Sequence, residues 1–109
     1  MVDDSIVRII RKYLTNLRLQ DIPVSYGVVY GSQARGEANI WSDIDIMVVS
    51  PRYDGARTRS DVNLLWRVAA RTDSRIEPMA VGQQQYLTDD SSAIIEIARR
   101  EGQVIDLGE

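Results

Sequence analysis

A chain of 109 residues is long enough to bury one core and too short for two, so a single domain spanning 1–109 is expected. It has no cysteine and no histidine, which excludes disulfides, thiolate chemistry, cysteine-rich zinc sites and imidazole acid–base catalysis. The net charge of −3, from 13 basic and 16 acidic residues, argues against direct nucleic-acid binding.

Taken in chain order, Ile6, Ile9, Ile10, Tyr13, Leu14 and Leu17 recur at helical spacing behind the capping candidates Asp3, Asp4 and Ser5. This predicts an amphipathic helix over 5–19. Pro23 closes the following turn, and "VSYGVVY", residues 24–30, is β-branched and aromatic like a strand. The segment Gly31–Gly36 then reads as a turn opening a short helix. "DIDIMVV", residues 43–49, is a second strand, followed by a loop marked by Ser50, Pro51 and Asp54-Gly55. A helix is expected over 58–72, with Val62, Leu65, Trp66, Val68 and Ala69 as its buried stripe. "RIEPMAV", residues 75–81, is a third strand, which Pro78 places at a sheet edge or an irregularity. Asp90 or Ser91 caps a last helix carrying Ile94, Ile95, Ile97 and Ala98 up to Gly102, and "QVIDL" adds a short strand. The alternation of helices and strands gives an α/β architecture, one sheet with helices packed on it. No apolar run approaches the roughly 20 residues of a membrane span. "MVDDSIVRII" lacks a signal-peptide layout, so a cytoplasmic location is expected.

The strand at 43–49 holds the anomaly. Side chains alternate faces along a strand, so Ile44, Ile46 and Val48 share the core side while Asp43, Asp45 and Met47 share the other. Two carboxylates about 6–7 Å apart at Cα repel unless a cation or proton lies between them. A divalent ion would relieve that repulsion. With no nitrogen or sulfur ligand available, a hard ion such as Mg2+ or Mn2+ suits the oxygen donors. D-x-D by itself also fits a turn cap next to a solvent-facing edge carboxylate.

Upstream, Gly31 allows close backbone approach, and Ser32 places a hydroxyl beside free amides at a helix start, a combination that suits phosphate oxygens. The spacing Gly31-x4-Gly36 matches the first half of a P-loop, but Glu37 and Ala38 follow where lysine and Ser/Thr are required. No G-x-G-x-x-G fingerprint is present either.

"GSQARG", "EANIW" and "SDIDIMVV" in succession resemble the minimal nucleotidyltransferases of the DNA polymerase β-like superfamily, whose signature is G-S-x-A-x-G, a short gap, then S-D-x-D and an apolar strand. The likeness extends to the leading helix, to "RIEPMAV" in the slot of the third carboxylate strand, and to "AIIEIARREGQVID" at the end. It implies the nucleotidyltransferase fold, a small mixed β-sheet with helices on it. It also implies that Gly31 and Ser32 contact a nucleoside triphosphate such as ATP, with Arg35 and Ser42 beside them. Asp43 and Asp45 would be catalytic metal ligands and Glu77 the third carboxylate, helping to deprotonate an acceptor hydroxyl. Arg52, Arg57 and Arg59 are expected in a solvated loop. Trp41 is expected as a partly buried packing aromatic, Trp66 as core, and Met47 as floor of the cleft.

A bare core of this kind resembles the small proteins that pair with a separately encoded helical partner of the HEPN type. In those pairs it acts as an antitoxin, transferring AMP to the partner. The alternative is a module that neutralises its partner by occlusion, without catalysis. Apolar helix faces on so small a domain also leave room for a homo-oligomer.

Overall fold

The first apolar repeat folds as α1, Asp4–Leu19, begun where the Asp3 carboxylate accepts a 2.8 Å hydrogen bond from the Ser5 amide in a computed structural model that describes residues 1–107. Strand β1 is Tyr26–Tyr30. After it come the one-turn helix α2, Ser32–Arg35, and strand β2, Ile44–Ser50. A single 3-10 turn, Pro51–Tyr53, leads to α3, Arg59–Thr72, which returns the chain to β3, Ile76–Gly82. Two helices, α4, Gln83–Thr88, and α5, Ala93–Glu101, precede the short strand β4, Gln103–Ile105.

The sheet order is β3-β2-β1-β4. β1 runs antiparallel to both β2 and β4, while β2 and β3 are parallel and joined through α3, so the sheet is mixed. β3 lies at an edge, where Pro78 withholds no needed ladder donor.

The period-2 alternation of β2 divides the core in two. Ile44, Ile46 and Val48 face α1 and α3 and bury with Ile10, Leu14, Leu17, Leu65 and Val68. Met47 and Val49 face the other way, with Val28 and Val81, under Tyr86 of α4 and Ile95 and Ala98 of α5. Each fully buried aliphatic side chain contributes about 1.5–3 kcal/mol. Gly27 brings α1 onto the sheet: a Cβ there would stand 2.9 Å from Ile46 Cδ1 and 3.1 Å from Leu14 Cδ1.

Four sequence expectations need correction. Helix α4 is unforeseen, because "QQQ" carries no apolar period. It is nucleated from outside, by the Asp54 carboxylate accepting from the amides of Gln84 at 3.0 Å and Gln85 at 3.2 Å. Helix α5 is capped by Ser92 rather than Asp90 or Ser91, since Asp89 first draws the amides of Ser91 and Ser92 into a turn. On α3 only Leu65, Val68 and Ala69 are buried, and Val62 and Trp66 sit beside that narrow stripe, 39% and 46% exposed. Trp41 packs against little: it is 84% exposed, in the loop between α2 and β2. Among the described residues no helix is long and apolar enough to cross a membrane.

Candidate active site

The register of the sheet assembles the site. Tyr30 lies opposite Asp45, and Asp45 opposite Glu77, so one row of side chains crosses β1, β2 and β3 at the end of the sheet. The next row inward is Val28, Met47 and Met79. Met47 is fully buried there. The carboxylates therefore stand where the second core runs out and solvent begins. Asp43 sits just before β2, exposed, two residues from Asp45.

Gly31 makes the turn from β1 to α2. Its φ of +74° and ψ of −149° lie where side-chain-bearing residues are strained. A Cβ on it would come within 2.6 Å of Asp45 Oδ2. Glycine is thus required twice at this position, for its torsion and for the room it leaves. The α2 turn closes through Ala34 and Arg35 amides donating to the Gly31 carbonyl, at 3.1 and 3.2 Å. Ser32 occupies the first helical position, directly after Gly31.

The charges are crowded. Burial, then the neighbouring Asp43 carboxylate, pushes the Asp45 carboxyl above its ordinary range, partly offset by Glu77 and Arg35. Glu77 is pushed up as well, by local desolvation first and then by Asp43 and Asp45. Desolvation followed by the charges of Asp45 and Glu77 raises the Tyr30 phenol. Mutual repulsion of this sort favours a proton or a cation among the oxygens. Yet among the described residues no three His, Cys, Asp or Glu side chains stand so as to hold a metal ion by themselves. Both observations fit an ion such as Mg2+, which is ordinarily bound through one or two carboxylates together with water and substrate phosphates, not by an all-protein cage.

The remaining expected residues fall into two groups. Arg35 is engaged by Glu37 at 2.6 Å, with Glu101 3.9 Å away, while still within the field of Asp45. Ser42 builds the loop: its hydroxyl accepts from the Asn39 amide at 3.0 Å and its own amide donates to the Asn39 carbonyl at 3.1 Å. Arg52 pairs with Asp61 at 3.1 Å and Arg57 bonds the Tyr53 carbonyl at 3.1 Å, so both brace the start of α3 and the turn before it. Arg59 is exposed at the first position of α3.

Two residues at the site escape a reading of the sequence. Tyr30 reaches the carboxylate row only through the β1–β2 register, which no single strand announces. Gln33, in the variable slot of "GSQARG", is buried, and its side-chain Nε2 donates to the Asp43 carbonyl at 3.3 Å.

Comparison with known proteins bears on the fold and the family. No curated protein matches the chain. Among solved structures it is similar to a candidate nucleotidyltransferase from Sulfolobus solfataricus, with a TM-score of 0.62 and 13% identity over 90% of this chain and 77% of that one. It is also similar to a chain from a toxin–antitoxin structure with AMP-PNP, with a TM-score of 0.61 and 19% identity over 88% of this chain and 72% of that one. At such identities the likeness is one of fold. The model of the nucleotidyltransferase domain matches residues 8–101, running from α1 through the carboxylate row to the end of α5, and on that match the chain belongs to the nucleotidyltransferase domain family.

Proposed function

We propose that this nucleotidyltransferase transfers AMP from ATP to a hydroxyl group on a separately encoded helical protein of the HEPN type, acting as the antitoxin of that pair. The observation that carries the transfer reaction is the placement of Asp45 and Glu77 in one row, with Asp43 beside them and Gly31 packed against Asp45. The similarity to a chain from a toxin–antitoxin structure with AMP-PNP supports a partner protein and a nucleotide, and the HEPN-type helical partner is the one that the resemblance in the sequence implies.

In this reading Asp43, Asp45 and Glu77 would hold Mg2+ or Mn2+ together with the phosphates of the nucleotide. When bound, the metal lowers the pKa of the attacking hydroxyl and neutralises charge gathering on the leaving pyrophosphate. The chain's own groups do the rest. Gly31 and Ser32 form the turn that receives the triphosphate, and the missing Cβ of Gly31 keeps that turn close to Asp45. Glu77, with its raised proton affinity, stands at the rim of the row, where it can take the proton of the acceptor hydroxyl. Arg35 is near enough to Asp45 to share in phosphate binding once Glu37 releases it. Positioning and electrostatics carry most of such a reaction, so a chain without histidine is not handicapped.

The test is incubation with Mg2+, ATP labelled at the α-phosphate, and the helical protein encoded beside this one. Label is expected on that protein and lost with Asp43→Asn/Asp45→Asn. No label on the partner would remove the acceptor assignment. If the double variant still bound and neutralised the partner, occlusion would replace catalysis as the antitoxin mechanism.

A further inference from the structure

The loop that delivers Asp43 is bonded mainly to itself. Asn39 and Ser42 exchange two hydrogen bonds, and the Asn39 side chain accepts from the Trp41 amide at 2.8 Å. Ile40 and Trp41 at its tip are 73% and 84% exposed, so packing does not hold it down. Among the described residues, no hydrogen bond except that of Gln33 runs from the main chain of 38–43 to another element. One residue later, the Ile44 amide donates to the Arg75 carbonyl at 2.8 Å and the regular sheet begins.

Gln33 is suited to such an anchor. It is one of two buried polar residues in the chain as described, only 6% exposed, and sits on α2 in the first turn after Gly31. It lines two small recesses of about 220 and 270 Å³ that share Asp3 and Ala38, the first of them bordered by Asn39 and Ile40 of the loop. The Asp43–Ile44 peptide is thus held from two sides, its amide by the Arg75 carbonyl and its carbonyl by Gln33, and the Gln33 bond is the one that ties Asp43 to the glycine turn. One short helix thus fixes two parts of the site: through Gly31 the turn against Asp45, and through Gln33 the backbone of Asp43.

We infer that Gln33 is a positioning residue for Asp43, holding its carbonyl so that the carboxylate is presented beside Asp45. This rests on the reading of Asp43 as a metal ligand. Partners that orient metal ligands from behind are worth roughly 10–100-fold in metal affinity. Gln33→Met keeps the volume and the helix propensity and removes the amide, donor included.

The experiment measures Mn2+ affinity by electron paramagnetic resonance in the presence of a non-hydrolysable ATP analogue, alongside the melting temperature of each protein. The expected result is a Kd for Mn2+ raised about tenfold in Gln33→Met, at the lower end of that range, with a melting temperature close to wild type. Equal affinity in variant and wild type would overturn the inference while leaving the metal site intact. If the wild type itself bound no Mn2+, the metal-site reading would fail first, visibly so before any variant was compared, and the role of Gln33 would fall with it. Should Gln33→Met not fold, the wild type still decides: its Gln33 side-chain amide protons should exchange slowly with solvent, and rapid exchange would overturn the assignment.

Discussion

Gly31 stands so close to Asp45 that a Cβ on it would lie 2.6 Å from Oδ2. A real Cβ cannot remain at that distance, so either the turn or the carboxylate must move. The φ of +74° adds strain to any side chain placed there. Gly31→Ala should therefore cost about 1–3 kcal/mol of stability, measured by urea denaturation, and should reduce nucleotidyl transfer much more than the stability loss explains. Gly36 offers the contrast. Its φ is +72°, but no atom lies within 4 Å of where its Cβ would be. Gly36→Ala should show a stability cost of similar origin, with transfer largely kept in the folded fraction.

The carboxylate row should make metal-free stability depend on pH in a particular direction. Asp45 and Glu77 are both raised above their ordinary values, 3.8 and 4.5. A raised carboxyl stabilises the fold at pH below its ordinary value, where the group is protonated in folded and unfolded chains alike. That contribution is lost as pH climbs through the raised folded value. These two groups should thus destabilise the metal-free fold progressively as pH rises above their ordinary range, about 4. Asp45→Asn removes the share of this loss that Asp45 carries and should be a few tenths to about 1 kcal/mol more stable than wild type at pH 7, a modest figure because the row is partly open to solvent. The gain should vanish near pH 3. Adding Mg2+ with nucleotide should stabilise the wild type and leave the variant unmoved. Thermal melts at three pH values, with and without the metal, check both halves. A variant less stable than wild type at pH 7 would contradict the crowding of charge.

How much of this was legible beforehand follows from where the information resides. Asp43 and Asp45 stood out because alternation along one strand is local, and two acids on a face that otherwise continues as Met47 and Val49 break the pattern. The edge position of Pro78 and the short strand after Gly102 were readable for the same reason. Gly102 ends α5 for want of space rather than for a left-handed torsion, since a Cβ there would crowd the Ala98 carbonyl oxygen at 2.4 Å. What stayed hidden depends on contacts distant in sequence. Helix α4 takes its cap from Asp54, 30 residues upstream of Gln84. The Tyr30–Asp45–Glu77 row needs the register of three strands, and Gln33 needs a loop to fold back ten residues later.

The misread stripe of α3 gives a direct comparison. Leu65 is 1% exposed and Trp66, next to it, is 46% exposed. Leu65→Ala should cost about 2–5 kcal/mol, the range for a buried leucine whose cavity only partly collapses. Trp66→Ala removes far more atoms, yet should cost less than Leu65→Ala, because nearly half of Trp66 is already in water and its loss leaves no closed cavity. Paired chemical denaturation curves decide this. A larger loss at Trp66 than at Leu65 would return the indole to the core.

Tyr53 carries a polar group into the core. The residue is fully buried in the turn after β2, and among the described residues its hydroxyl oxygen is the one buried side-chain polar atom left without a hydrogen bond. Burial, and then the charge of Asp61, pushes its phenol up to about 12. Tyr13, in the same core, is satisfied by comparison, its hydroxyl donating to the Leu65 carbonyl at 2.9 Å. An unpaired buried hydroxyl costs roughly 1–3 kcal/mol of desolvation that nothing returns. Tyr53→Phe removes the hydroxyl and keeps the ring, so the variant should be as stable as wild type or up to about 1 kcal/mol more stable. Tyr13→Phe should go the other way, losing about 1 kcal/mol because it removes a buried hydrogen bond and leaves the Leu65 carbonyl with its helical partner alone. Two melting curves test the pair. A clear destabilisation by Tyr53→Phe would mean that the hydroxyl has a bonding partner in solution, such as a buried water.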